Sequence, residues 1–425
     1  MDAPSRAALR LASVVVVVGL SANAPSAFGQ SFGVELFNTL MPASGGMGGT
    51  SIAQPQDALS AMHGNPAALS QFEGTRFEFS GAWAEPTVHI DQTGQIPAIG
   101  PAIVSPFSST SDTPGSAVGN IGVVQDFRGL GCPATAGMFF ATDAGVGTDY
   151  RSVPESNGTT NELFIISLGG AVGVELTDTL SLGGSISMGS AFLDGPFVGN
   201  SAMVPAYGLR GTVGVDWQAL EATKLGFYYQ SPEHFIFDDA IALRLPGGGF
   251  DKFRNINMDL PQNIGLGIAN TSLMDGKLLL AADALYILWD DADLFKTVYQ
   301  NEWVMQLGAQ YTHGKCRLRI GYVYAANPMN PNPGISAGGI TPPGGFRAID
   351  YLQAQFAVPN RNRFTAGAGI TDLLPGLDFD LFAGGMFHEG DDFGQFTHVN
   401  VASFWIGAGF TWRFGRGSCD CGWQY

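Results

Sequence analysis

Charge is scarce in this chain, and what there is leans one way. Only 13% of its 425 residues are charged, and 37 acidic against 20 basic side chains leave a formal net charge of −17. Binding to phosphate backbones demands a basic surface, so nucleic acid is excluded as a partner. Cysteine is nearly absent as well. Cys132, Cys316, Cys419 and Cys421 are too few for a disulfide scaffold at this length, and Cys419-Asp420-Cys421 has no second pair or histidine beside it to make a zinc site. Nothing in the sequence calls for a cofactor. Long hydrophobic runs are missing too: after residue 30 no stretch approaches the roughly 18 apolar residues that a membrane helix needs.

What is plentiful is hydrophobicity in short pieces. Hydrophobic residues make up 45% of the chain and there are 59 glycines. A chain that is apolar on average but has no long apolar run distributes its hydrophobicity over short strands, as membrane barrels do, and this disfavours both a soluble enzyme and a helical membrane protein. The front of the chain reads separately. Arg6 and Arg10, then the apolar LASVVVVVGL (Leu11 to Leu20), then Ala27-Phe28-Gly29 predict an export signal over residues 1–29, with the mature chain starting near Gln30. Its ten-residue core is too short to span hydrocarbon.

Alternation carries the fold class. In LSLGGSISMG, Leu180, Leu182, Ile186 and Met188 share one face; in ASFWIGAGFTWRF, Phe404, Ile406, Phe410, Trp412 and Phe414 do; in CRLRIGYVYA, Leu318, Ile320, Tyr322 and Tyr324 do. About fourteen such segments can be placed between residues 76 and 414. Short turns at Thr177-Asp178, 219–222, 273–276, 312–315 and 372–376 alternate with long loops at 91–117, 144–161, 232–260, 290–301, 326–361 and 389–401. Short turns at one rim and long loops at the other predict an all-β, antiparallel transmembrane barrel of the bacterial outer membrane, in contact with its lipid. Tyr228, Tyr229, Tyr322, Tyr324, Trp412 and Phe414 are the expected interface aromatics. A secreted β-sandwich would mix its loop lengths.

One stretch, SAMHGNPAALSQFEG (Ser60 to Gly74), does not alternate. Pro55 suits a first helical turn, Asp57 a helix N-terminus, and Ala58, Leu59, Ala61 and Met62 are apolar at helical spacing. Gly64 leaves the helix, Asn65 caps a new one and Pro66-Ala67 begins it, which predicts a bent, compact helical plug. The Gly-rich SGGMGGTS before it permits close packing. The expected layout is therefore a signal at 1–29, a plug at 30–75, a barrel at 76–414 and a tail at 415–425.

The Gly-rich lead (Gly45, Gly46, Gly48, Gly49), Asp57-Ala58 and Asn65-Pro66-Ala67, followed in order by KLGFYYQSP, LPQNIGLGIA, LLLAADALYILWDDA, WVMQLGAQY and LRIGYVYAANP, resemble the FadL-type long-chain fatty-acid and aromatic-hydrocarbon transporters. The resemblance implies a fourteen-stranded barrel closed by the plug, passive uptake of hydrophobic molecules, and sideways exit through a gap in the wall. It also implies the barrel-assembly machinery as a partner during biogenesis. GRGSCDCGWQY after Phe414 departs from the family's aromatic ending, and the family's ligand-contacting loops are not recognisable in 91–117 or 326–361, so no particular substrate carries over.

Alternation directs Leu279, Leu285, Ile287, Trp289, Phe382, Met386 and Trp405 into the lumen, where they either meet an apolar guest or pack against the plug. Arg319 points inward as well. It pairs either with a ligand carboxylate or with Asp283, Asp378 or Asp380. The six histidines, His63, His89, His234, His313, His388 and His398, share no ligand spacing and fall in plug, loop or rim. A general porin would need many inward charges, and a barrel hydrolase would need a nucleophile near His234, Asp238 and Asp239. These remain the alternatives to a hydrophobic uptake channel.

Overall fold

A strand with lipid on one side and packed side chains on the other must alternate, and the last strand shows the result. Trp405 is 5% exposed while its neighbours Phe404 and Ile406 are 55% and 57% exposed. The computed structural model describes residues 33–97, 103–195, 203–241 and 253–414. The expected signal at 1–29 and tail at 415–425, with Cys419 and Cys421, lie outside the described residues. Fourteen strands form one closed antiparallel sheet: β1 (Thr75–Gln92), β2 (Ser116–Asp126), β3 (Ala134–Asp149), β4 (Thr160–Thr177), β5 (Leu180–Asp194), β6 (Val204–Leu220), β7 (Thr223–Gln230), β8 (Gln262–Leu273), β9 (Leu278–Leu288), β10 (Glu302–His313), β11 (Cys316–Ala325), β12 (Asn362–Leu374), β13 (Leu377–Phe393) and β14 (Thr397–Phe414). Closure comes from β14 pairing back onto β1, continuously from Thr75↔Phe414 to Gln92↔Thr397. A closed ladder leaves no sheet edge, the condition for strands to cross lipid. The outer face bears the matching apolar coat, with Leu209, Leu266, Leu318 and Ile320 all exposed.

The long connections are more structured than their composition suggests. Residues 389–401 are not a loop. β13 and β14 run on to Phe393 and Thr397, because Glu389, Asp391 and Asp392 stay in register with Val401, Val399 and His398. Polar residues sit on strands here because they take the positions that alternate with Phe393, Val399 and Val401, which are buried in the main apolar cluster. The 232–260 connection holds a second hairpin, Glu233–Ile241 with Arg254–Leu260. The 290–301 connection holds a short helix, α2 (Phe295–Val298), and the 326–361 connection a longer one, α3 (Phe346–Gln355). One expected interface aromatic is misplaced: Tyr228 is buried and faces the lumen, since β7 alternates with Phe227 outward.

Candidate functional site

The segment from Gly33 to Gly74 is buried inside the barrel almost throughout. Its helix α1 (Ala58–His63) has Asp57 as N-cap, accepting from the Ser60 amide at 2.8 Å. Pro55 lies before this helix rather than in its first turn. Gly64 ends it without a left-handed conformation, at φ −98°. Its lack of a side chain serves space instead, since a Cβ would press on Asn38 and on the Ser60 carbonyl. Asn65 then caps a 3-10 helix, Pro66–Gln71, by accepting from the Ala67 amide at 3.2 Å, with Pro66 at its first position. The same side chain ties inner segment to wall: its amide donates to the Ile52 carbonyl at 2.7 Å and to the Val215 carbonyl of β6 at 3.0 Å. Gly214 on β6 is what allows this approach, because a Cβ there would collide with Asn65 Oδ1.

Two wall carboxylates fasten the segment further. Glu78 of β1 accepts from the Ala58 and Leu59 amides at 3.0 and 2.9 Å. These are the first free amides of α1, which carry the positive end of its dipole. Asp283 of β9 accepts from the Ser51 and Ile52 amides at 2.7 and 3.1 Å. Asp283 therefore holds backbone rather than Arg319. Arg319 forms its ion pair with Asp380 and donates to Gln310 Oε1 at 2.6 Å.

The wall has one interruption. β2 pairs with β3 only from Ile121↔Phe140 to Asp126↔Thr135, so Ser116 to Asn120 have no ladder partners on β3 and only Thr142 reaches across, to the Asn120 side chain and the Gly119 carbonyl. β3 bulges at Asp143, between Thr142 and Ala144. Beyond the bulge its free edge is taken by the inner segment: Leu36 donates to the Asp143 carbonyl and Gly145 to the Val34 carbonyl, both at 2.9 Å. Behind the break lies an apolar cluster of Leu36, Leu40, Ala82, Ala84, Val118, Phe382 and Trp405. Asp143 itself turns inward, contacting His63 Nε2 at 2.8 Å and accepting from Ser167. With the carboxylate between hydroxyl and imidazole, the three cannot activate Ser167 as a nucleophile, which needs its base alongside. His234 pairs with Asp259 at 2.9 Å, not with Asp238 or Asp239.

Above the inner segment the lumen is apolar. Leu285, Ile287, Trp289 and Met386 belong to one cluster that runs from Val34, Phe37 and Ile52 up to Phe295, Tyr299, Ile349, Leu352 and Phe356 under the outer loops. Trp289 lies just past the end of β9 rather than on it, donating to Glu302 Oε1 at 3.2 Å, with its ring tilted at 54° against Tyr299. Leu279 is apart from these, packed against Met47 and Ala53. Small apolar cavities of about 20 Å³ punctuate this column, one beneath the loops between Leu193, Ile256 and Phe356 and one over the inner segment between Phe37, Tyr228 and Leu285. Polar side chains reach the column at several points, among them the buried Glu302 beside Trp289 and the buried Arg363. Arg210 joins Glu35 at 2.7 Å, and Glu233 of the loop hairpin accepts from the Gly189 amide at 2.9 Å. Burial pushes the Glu233 carboxyl up to about 7, against the pull of Arg210.

Below the segment, at the short-turn end, the character reverses: a cavity of about 280 Å³ is lined by Arg76, Arg317, Arg413, Glu78, Asp378 and Asp380 among others. A larger hollow of about 680 Å³ lies on the lipid-facing side between Ile268, Leu307, Ile320 and Phe364 and is part of the outer coat. Of the residues that matter, Glu78 and the break at Ser116 to Asn120 escaped sequence reading. Glu78 carried one signal, a charge at an inward position, between the outward Phe77 and Phe79.

No protein-family profile and no curated protein sequence matches the chain. Solved structures do. The P. putida toluene transporter TodX matches with a TM-score of 0.66 at 14% identity, over 90% of this chain and 100% of that one. A Pseudomonas aeruginosa FadL homologue matches with a TM-score of 0.65 at 14% identity, over 91% and 100%. The Ralstonia pickettii toluene transporter TbuX matches with a TM-score of 0.64 at 16% identity, over 89% and 99%. Identity this low speaks for architecture alone, and the architecture is plain: this chain has the fold of the FadL-type transporters.

Proposed function

We propose that the chain is an outer-membrane channel for passive uptake of hydrophobic small molecules, in the class of long-chain fatty acids or aromatic hydrocarbons. The guest descends the apolar column, is stopped by the inner segment acting as a plug, and leaves sideways between β2 and β3. The break in the β2–β3 ladder carries the reading. Straight passage would take an apolar guest into a charged chamber, losing about 25 cal/mol for each Å² returned to polar surroundings. The route through Leu36, Val118 and Phe382 keeps it in apolar contact and ends in lipid. Leu285, Ile287, Trp289, Met386, Phe382 and Trp405 are the candidate guest contacts. Arg319 spends Nη1 on Asp380 and Nε on Gln310, which ties it to the wall, and its Nη2 is left without a partner among the described residues.

The solved relatives are named as transporters and channels, which fits a non-enzymatic role. A general porin reading meets an apolar, filled lumen. The deciding experiment measures uptake of a labelled long-chain fatty acid, of toluene and of a hydrophilic sugar by cells or proteoliposomes carrying the barrel. Selective acceleration of the first two is expected. Acceleration of the sugar alone would return the protein to the porins.

A further inference from the structure

We propose that the polar cavity at the short-turn end is a binding site for a small oxyanion, a phosphate or a carboxylate, held by Arg76 and Arg317. Most of the charges in that cavity are already engaged. Both oxygens of Glu78 accept backbone amides of α1. Asp380 is paired with Arg319. Asp378 accepts from the Asp372 amide at 2.8 Å and pairs with Arg413 at 2.9 Å, and Arg413 also pairs with Asp372. Among the described residues, no carboxylate lies within ion-pair distance of Arg76 or Arg317.

Arg76 stacks its guanidinium 4.9 Å above the Phe72 ring and makes one long contact of 3.4 Å, from Nε to the Glu73 carbonyl. Stacking leaves the planar edge of the fork free. Arg317, half-buried, makes no hydrogen bond or ion pair among the described residues. Both guanidinium groups reach a chamber of about 280 Å³, roomy enough for an oxyanion and its water. Thr312 and Thr411 supply hydroxyl donors on its walls. A forked cation that meets an oxyanion can bond it through two parallel N–H groups. The chain as a whole carries −17 and repels anions, so a site of this kind needs a local surplus of cations. The lining balances three arginines against three carboxylates, and the imbalance is local to Arg76 and Arg317, since Glu78 is spent on backbone amides and Asp378 and Asp380 pair with Arg413 and Arg319. Pro55 and Gln56 form part of the same chamber, so an anion bridging β1 and β11 also braces the underside of the inner segment.

The test uses the full barrel in detergent, titrated with inorganic phosphate and separately with hexanoate, against chloride at matched ionic strength. Thermal loss of the folded gel band and phosphorus NMR line width are read. Expected is a saturable rise in the unfolding midpoint and broadening of the phosphate line. Both vanish in Arg76→Gln/Arg317→Gln and persist in Arg361→Gln, which alters a loop arginine. Arg317→Lys, which keeps the charge and lets the fold be checked, weakens apparent affinity about tenfold through loss of the fork. A response to phosphate alone assigns a tetrahedral anion, and one to both probes assigns carboxylate head groups as well. The proposal is overturned by a wild-type response no greater than chloride gives, or by an equal saturable response in the glutamine variant.

Discussion

Removing the two wall carboxylates that hold the inner segment should open the channel without unfolding the barrel. Asp283 satisfies the Ser51 and Ile52 amides, and Glu78 satisfies those of Ala58 and Leu59. Leaving a buried amide without an acceptor costs about 1–3 kcal/mol, so Asp283→Ala removes roughly 2–6 kcal/mol of docking free energy. At the lower figure, the ratio of closed to open barrels falls about 30-fold. Glu78→Ala should act similarly on a separate stretch, and effects at sites that share no partner add. The sheet keeps its own ladder, closed by the β1–β14 pairing, and loses no strand bond. Single-channel recording in planar bilayers should therefore show frequent openings in the double variant and rare ones in wild type. Gel mobility before and after heating reports folding. A folded double variant that stays silent, and admits no large hydrophilic antibiotic in cells, refutes the claim that these four amides hold the channel shut.

Three further outcomes test other parts of the argument. Asn65→Ala should loosen the cap by about 0.5–2 kcal/mol and admit small hydrophilic solutes from a folded barrel; unchanged permeability with only lower yield would make the segment a tether. Leu285→Asp with Ile287→Asp should slow hydrophobic uptake while the heat-sensitive gel band persists, because inward charges alter selectivity where lipid-facing ones destabilise. Uptake unaltered by both would place the path elsewhere. With the native cysteines changed to serine, a cysteine at Asn332 should label in intact cells and one at Gly314 should not, since an even-stranded barrel puts its short turns in the periplasm; the reverse pattern inverts the topology.

The strands were legible because each has to solve the same local problem. Lipid on one side and a packed interior on the other force a period of two, visible in Phe404, Ile406 and Trp412 against Trp405 without any knowledge of partners. The Asn65-Pro66 stop and restart was legible for a similar reason, since capping uses only near neighbours. Residues 389–401 misled because acidity marks exposure, not loop conformation, and the apolar face that betrays the hairpin is only Phe393, Val399 and Val401. Tyr228 misled because aromatics serve an interface and a lumen equally well, and only the parity of β7 tells them apart.

The remaining features depend on segments far apart in the chain. Asp283 read as an inward charge in need of a cation, and the plausible candidate was Arg319. What it holds is backbone, and a pair of amides at Ser51 and Ile52 leaves no trace in side-chain identity. The break in the wall is the strongest case. Nothing between Ser116 and Asn120 is unsuited to a ladder; those residues pair with β1 without difficulty, from Ala84↔Ser116 to Ser80↔Asn120. They lack ladder partners on their other side because β3 bulges at Asp143 and spends its edge on Val34 and Leu36. Asn120 spans part of the void, accepting from the Thr142 amide at 3.1 Å. Position in the wall, bulge and inner segment thus form one arrangement: the inner segment that takes the β3 edge with Val34 and Leu36 occupies the place where β2 and β3 would otherwise pair. On the proposed route the inner segment's own Leu36 lines the break, so the segment proposed to bar straight passage would also form a side of the lateral path.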